Sequence, residues 1–214
     1  ITVGGDWENE DPTVGFRNIS ISDNTILNAF YSITVERIFN SSITGNKIIG
    51  RFQYDQGITL YGAENTIVEN NTISGTVYGI SLLYSFYFAA SHNIISSNNC
   101  SNNGSCGIYE DGGGLYCHDN RIEKNSCNNT YFGLLSINAT NDFIEKNITK
   151  NDNFGLAFGD VQNDSISENN STNNQSYGIS FIGCSNNLIT KNTFLNNGIC
   201  DMADDGTSNT YTSN

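Results

Sequence analysis

The chain has 214 residues, a net charge of −13 and only nine Lys and Arg, a balance that argues against nucleic acid or an anionic membrane as partners. It holds 35 Asn, 25 Ile, 23 Ser, 18 Thr and 21 Gly with a single Pro, a mixture that disfavours long helices and favours strands and turns. No apolar run approaches the ~20 residues of a membrane span.

The chain begins at Ile1 with no basic-then-apolar leader, so a processed form or a fragment is expected. Residues 1–17 contain Val3, Trp7, Val14 and Phe16 without a period and read as an irregular N-terminal coil with an acidic loop, Asp6 to Asp11. From residue 18 to 214 a block of the form Ile-x-x-Asn recurs. Its Asn anchors are Asn24, Asn46, Asn70, Asn98, Asn125, Asn147, Asn169 and Asn192, with Tyr211 to Asn214 as a ninth block, at spacings of 22 to 28 residues. Between anchors stands Gly followed by alternating apolar residues, as in Gly57-Ile58-Thr59-Leu60, Gly79-Ile80-Ser81-Leu82 and Gly178-Ile179-Ser180-Phe181. Alternation with period 2 means short strands bounded by Asn, Gly and Ser turns. Three strands and their turns account for one repeat, so each repeat makes one coil and the next stacks on it at about 4.8 Å. The expected fold is all-β: a right-handed parallel β-helix of about eight to nine coils of 22–28 residues.

Stacking aligns four columns. The anchor amides bond along the axis. Two residues beyond them run Ile26, Ile48, Thr72, Cys100, Cys127, Thr149, Ser171 and Phe194, mostly inward. Tyr78, Phe132, Phe154 and Tyr177 form an aromatic column broken by Cys106. Gly62, Ala90, Cys117, Ala139, Val161 and Cys184 form a column of small or apolar residues. Lys124, Lys146 and Lys191 precede their anchors, interspersed with Glu168, and read as an exposed charge ladder.

The blocks Asn65-Thr66-Ile67-Val68-Glu69-Asn70-Asn71-Thr72-Ile73 and Asn187-Leu188-Ile189-Thr190-Lys191-Asn192-Thr193-Phe194 resemble the NosD-like parallel β-helix repeats, also called carbohydrate-binding and sugar-hydrolase repeats. The resemblance covers about residues 18 to 214 and implies the fold. Such repeats occur in archaeal cell-surface proteins and in polysaccharide lyases and epimerases, and the motif residues are structural. The copper role of the founding member finds no visible cluster in a chain with two His and one Met.

Phe86, Tyr87 and Phe88 lie on an inserted loop, expected to be an interface, a sugar platform or a lid. A second insertion, Glu110-Asp111-Gly112-Gly113-Gly114, reads as an acidic solvated turn that offers a cation oxygen ligands. Cys100 and Cys127 share a column in adjacent coils and are expected to pair; Cys106 and Cys117 are a second possible pair, and Cys200 is a candidate for a bond between chains. Of twelve Asn-x-Ser/Thr triplets, Asn40, Asn103, Asn128, Asn138, Asn163 and Asn174 are candidate glycan acceptors. The most enzyme-like group is Tyr116, His118 and Asp119, with His92 one coil below; Asp201, Asp204 and Asp205 are weak Ca2+ candidates, and no other cofactor is expected.

These observations favour a non-enzymatic structural subunit of an extracellular assembly, a sheath, filament or surface layer, with copies of itself as partners. The alternative is a carbohydrate-active lyase or epimerase, or a module that binds surface polysaccharide. An enzyme of acidic sugars needs a basic groove, and basic residues are scarce.

Overall fold

A computed structural model describes residues 1–4, 15–51 and 54–214; Trp7, Val14 and the run from Asp6 to Asp11 lie outside the described residues. The described residues form strands and turns with no helix, and every pair of named strands runs parallel. One coil shows the plan: a six-residue strand Phe132–Ile137, a corner, a short strand Phe143–Glu145, a second short strand Ile148–Lys150, then the next long strand Phe154–Gly159. The long strands stack into one nine-stranded sheet, and the first short strands into another. The second short strands form a third sheet, split into blocks of three and four strands that single bridges through Asn99 connect. Thr2–Val3 already belongs to the long sheet, against Thr34 and Val35.

Alternation along the long strands places Ile33 and Val35, Ile58 and Leu60, Ile80 and Leu82, Leu156 and Phe158, and Ile179 and Phe181 in the core, which Ile43, Val68, Ile95, Ile122, Ile144, Ile166 and Ile189 of the next sheet close. The Gly at the second position of six long strands, from Gly57 to Gly178, is required by close approach. A Cβ on Gly107 would meet Cys127 Cβ at 2.5 Å, and one on Gly133 would meet Thr149 Cβ at 2.7 Å.

The corners explain the asparagines in two ways. Among the described residues, 14 of the 28 non-glycine residues at positive φ are Asn, the residue that enters the left-handed region with least steric cost after Gly. The corner after each long strand holds Asn18, Asn40, Asn65, His92, Asp119, Asn141, Asn163, Asn186 and Ser208 in successive coils, all left-handed. Lys124, Lys146, Glu168 and Lys191 occupy another such row, at φ of 55–57°, so the expected charge ladder also carries a backbone cost.

The remaining asparagines form the anchor ladder. Asn125 is representative: its backbone N–H and Nδ2 both donate to Asn147 Oδ1 at 3.0 Å, and Nδ2 also donates to Ile95 O at 2.8 Å. The pattern runs from Asn24 to Asn214.

One coil corrects the expected register. Asn71, not Asn70, stands in the ladder, and Val68 rather than exposed Ile67 pairs with Ile43 and Ile95. The inward columns shift with it: Ile73 replaces Thr72 against Ile48, and Ala63 replaces Gly62 in the core. Both readings satisfy Ile/Val-x-x-Asn, and only the pairing of neighbouring strands separates them.

Candidate functional site

The outer face of the long sheet has a floor of small residues in its upper coils, Thr34, Thr59 and Ser81, which gives way to Tyr109 and Leu135. The aromatic column stands along one side, with Phe132, Phe154 and Tyr177 stacked at centroid distances of 5.0 and 5.4 Å. Cys106 and Cys200 occupy the same row. Across the middle coils the face deepens into a depression of 420 Å³ lined by Tyr61, Leu83, Tyr84, Ser85, Phe86, Tyr109 and Asp111.

Local structure holds its walls. Ser85 and Phe88 close a tight turn by exchanging backbone hydrogen bonds of 2.7 Å. This turns Phe86, 64 % exposed, toward the depression and lays Phe88 over the Arg37 guanidinium, 4.1 Å from the ring centroid. Tyr84 packs on Gly113, where a Cβ would strike its ring and where φ is +52°. Tyr109 stacks on Tyr78 at 5.2 Å and donates its O–H to Asp111 Oδ2 at 2.7 Å, while Gly113 N–H donates to Asp111 Oδ1. Burial and this hydrogen bond push the Tyr109 phenol far above its ordinary value, and burial, Tyr31 and Glu36 raise Tyr61. Both remain protonated donors, the reverse of what a tyrosine base requires. Among the described residues, no basic side chain lines the depression.

Tyr116, His118 and Asp119 lie elsewhere. His118 belongs to the short corner strand Cys117–His118 against Ala139–Thr140. Its Nδ1 lies 2.8 Å from Asp119 Oδ2, and His92 Nε2 lies 3.8 Å from the same oxygen. Tyr116 lines a separate shallow depression with Thr140 and Gln162. The structure thus joins His92, foreseen one coil below, to His118 and Asp119, and leaves Tyr116 on another depression.

The other expected groups divide. Asp204 accepts from Gly206 N–H, Asn209 Nδ2 and Tyr211 O–H, Asp201 from Asn197, and Asp205 from Gly183 N–H. The three carboxylates therefore serve separate turns. Burial works against ionisation of Asp204, and its donors outweigh it, holding the carboxyl below its usual value. Glu110 is not in a solvated turn: it is fully buried on the inner face, between Leu82 and Ser136 in register, and accepts from Asn120 Nδ2 and Ser136 Oγ at 2.9 Å. The repeat carries that signal, since Gly107-Ile108-Tyr109-Glu110 aligns with Gly79-Ile80-Ser81-Leu82.

All six cysteines are free thiols. Cys100 and Cys127 stand side by side in the core; the hydrogen bond between them, then burial, raises Cys127. Cys106 opens the strand Cys106–Asp111 and Cys117 lies past its far end on the separate strand Cys117–His118, so strand rise alone holds the two beyond disulfide reach, against the expected pairing. Burial pushes Cys106 up to about 12. Cys200 is the one thiol of the six that is not buried. Among the glycan candidates, Asn40 and Asn163 are exposed and Asn128 and Asn138 are half-buried. Asn103 and Asn174 are buried and spend their amides on Cys100 O and on Ser171 Oγ and Asn197 Oδ1, so the folded chain withholds them from modification. Of the inserted loop, Phe86 and Tyr87 are exposed and Phe88 is half-buried.

A family model described as a right-handed β-helix region matches residues 13–128, and one described as periplasmic copper-binding protein (NosD) matches residues 108–214. The chain belongs to the NosD-like right-handed parallel β-helix family. No protein with curated annotation matches it. Similar solved structures include the A-module of the mannuronan C-5 epimerase AlgE4 of Azotobacter vinelandii, at 14 % identity and a TM-score of 0.69, covering 92 % of this chain and 58 % of that one. The periplasmic alginate epimerase AlgG, as a double mutant, shows 15 % identity and a TM-score of 0.68 over 93 % of this chain and 52 % of that one. An exopolygalacturonase of Thermotoga maritima shows 11 % identity and a TM-score of 0.55 over 90 % and 53 %. The chain spans a little over half the length of each, and at these identities the likeness is one of fold.

Copper, which the NosD description names, takes thiolate, thioether or imidazole donors. Five of the six thiols are buried, and the single methionine, Met202, is exposed on the long sheet and is not in the one group of three candidate ligands that the described residues hold. Among the described residues, His92, His118 and Asp119 form the one group of three candidate ligands, all within 4.8 Å of one another. Two imidazoles and a carboxylate suit a borderline divalent ion such as copper(II) or zinc(II).

Proposed function

We propose that this β-helix acts outside the cytoplasm as a glycan-binding surface that holds a neutral, hydroxyl-rich polysaccharide on the long-sheet face without transforming it. The observation that carries the reading is the depression of 420 Å³ walled by Tyr61, Tyr84, Phe86 and Tyr109. Aromatic walls offer stacking surface to sugar rings, and the Asp111 carboxylate and phenol hydroxyls offer hydrogen bonds. The carboxylate, the absence of basic residues from the lining and the chain's charge of −13 oppose a polyuronate ligand. The raised phenols and the lack of a cation to neutralise a sugar carboxylate weigh against lyase or epimerase chemistry. The NosD description as periplasmic supports the location. Assembly into a sheath or filament gains no support from the fold or from the similar proteins.

Affinity electrophoresis of the full chain through gels containing neutral polysaccharides, alginate or polygalacturonate tests this. Retardation by a neutral polymer is expected, weakened roughly tenfold by Tyr109→Ala and less by Tyr109→Phe, which keeps the ring. Retardation by the uronates alone, or any epimerised or cleaved product, would overturn it.

A further inference from the structure

We propose that His92, His118 and Asp119 form a binding site for a late first-row divalent ion of the zinc(II) or copper(II) type, on the corner next to the long sheet and independent of the glycan face. The chain has two histidines in 214 residues, and both fall here. The corner row is a left-handed turn filled by Asn in six of nine coils, and the departures to His92 and Asp119 occur in adjacent coils. Asp and His, like Asn, enter that backbone more readily than most residues; what sets these two coils apart is that the ligating atoms of His92, His118 and Asp119 meet within 4.8 Å of one another.

The geometry is open and held from beneath. Asp119 Oδ2 lies between the rings, 2.8 Å from His118 Nδ1 and 3.8 Å from His92 Nε2, and the rings meet edge-on at 5.6 Å. The side chains are 36–50 % exposed, so an ion enters from solvent and small ring rotations bring the donors to bonding distance. The backbone is fixed by His92 N–H to His118 O, His118 N–H to Ala90 O and Asp119 N–H to Thr140 O, which pre-organises ligands from two coils. Three protein ligands leave coordination positions for water. Two nitrogens against one oxygen favour zinc(II) or copper(II) over calcium, which takes oxygen ligands.

The repeat supplies test variants that keep the fold. Asn65 stands at the position of His92 in the preceding coil and Asn recurs there in five other coils, and Thr140 and Ser91 stand in register with His118, so H92N and H118T place native-like residues in each row. Isothermal titration of the full chain with Zn2+, and separately with Cu2+, reads the site, and thermal unfolding with and without each ion gives a second readout. One ion per chain with a raised unfolding temperature is expected. Each single variant should weaken binding at least roughly tenfold, and the double variant should abolish both the heat and the temperature shift. Unchanged affinity in the double variant, absence of binding to the native chain, or equal displacement by Ca2+ would overturn the assignment.

Discussion

Two ladders of amides climb this β-helix, and they differ by a few atoms. In the anchor ladder each rung from Asn24 to Asn214 is Asn, save that Asn71 carries its coil one residue later than its neighbours suggest. The second, one corner away, starts with Ser41 and Thr66 and then takes the same form: Asn93 Nδ2 donates to Asn120 Oδ1 and to Ala63 O. Two rungs later it carries Asp142 and Asp164 before returning to Asn187 and Asn209. Each Asp accepts the backbone N–H of the preceding rung through Oδ1, while its buried Oδ2 has no hydrogen-bond partner among the described residues, at the place where an Asn directs its NH2. An ionised oxygen there faces acceptors; a protonated one donates as the amide would. Burial raises Asp142 well above its ordinary value, with Glu110 and Asp164 adding to it, and raises Asp164 to about 8. Glu110 is likewise raised by burial. Asp152, in a third ladder above Thr130, rises to about 7 by burial. An all-amide ladder is indifferent to pH, and an acid rung holds only while it keeps its proton.

The largest expected effect breaks the first ladder. Asn125→Ala removes two donated bonds and strands the Asn98 and Ile95 groups it served. With each buried unsatisfied group costing about 1–3 kcal/mol, chemical denaturation should show a loss of roughly 3–6 kcal/mol; a loss below 1 kcal/mol would mean the ladder contributes little beyond packing.

The acid rungs should show themselves in the pH dependence of unfolding. Their folded values lie above their unfolded ones, so the native chain binds more protons between them. Stability is then fully present below about pH 4 and falls as pH rises through 7 to 8. Asp152 alone is worth about 4 kcal/mol at most by this linkage. Urea midpoints measured from pH 4 to 9 should decline, and Asp142→Asn with Asp164→Asn should flatten the curve and stabilise the chain at pH 8. A midpoint that rises over this range would refute the protonated rungs.

The smallest effect compares corner residues. Lys191 stands at φ 55° where Asn, Asp, Ser and Gly serve other coils, so Lys191→Asn should raise stability by roughly 1 kcal/mol, read as a small upward shift of the thermal midpoint.

Much of this was legible without coordinates, for definite reasons. Period 2 after each Gly and the return of Asn every 22 to 28 residues leave few folds other than a stack of coils. The neighbourhood of His92, His118 and Asp119 followed from counting one coil back. The doublets Ile67-Val68 and Asn70-Asn71 were not resolvable, because a strand's inward parity is set by the strands beside it. Glu110 was misplaced because three glycines after it suggest a loop, while its alignment with Leu82 puts it inside.

The chain's own pattern determined the architecture: the strand period, the corner asparagines and the stacking of like on like are local rules repeated along one axis. Tertiary structure alone decided which carboxyls lie in water and which in the core, and that Tyr61, Tyr84, Phe86 and Tyr109 surround one depression. Those relations join residues from different coils and inserted loops, and burial and proximity are properties of the folded packing that no single repeat contains.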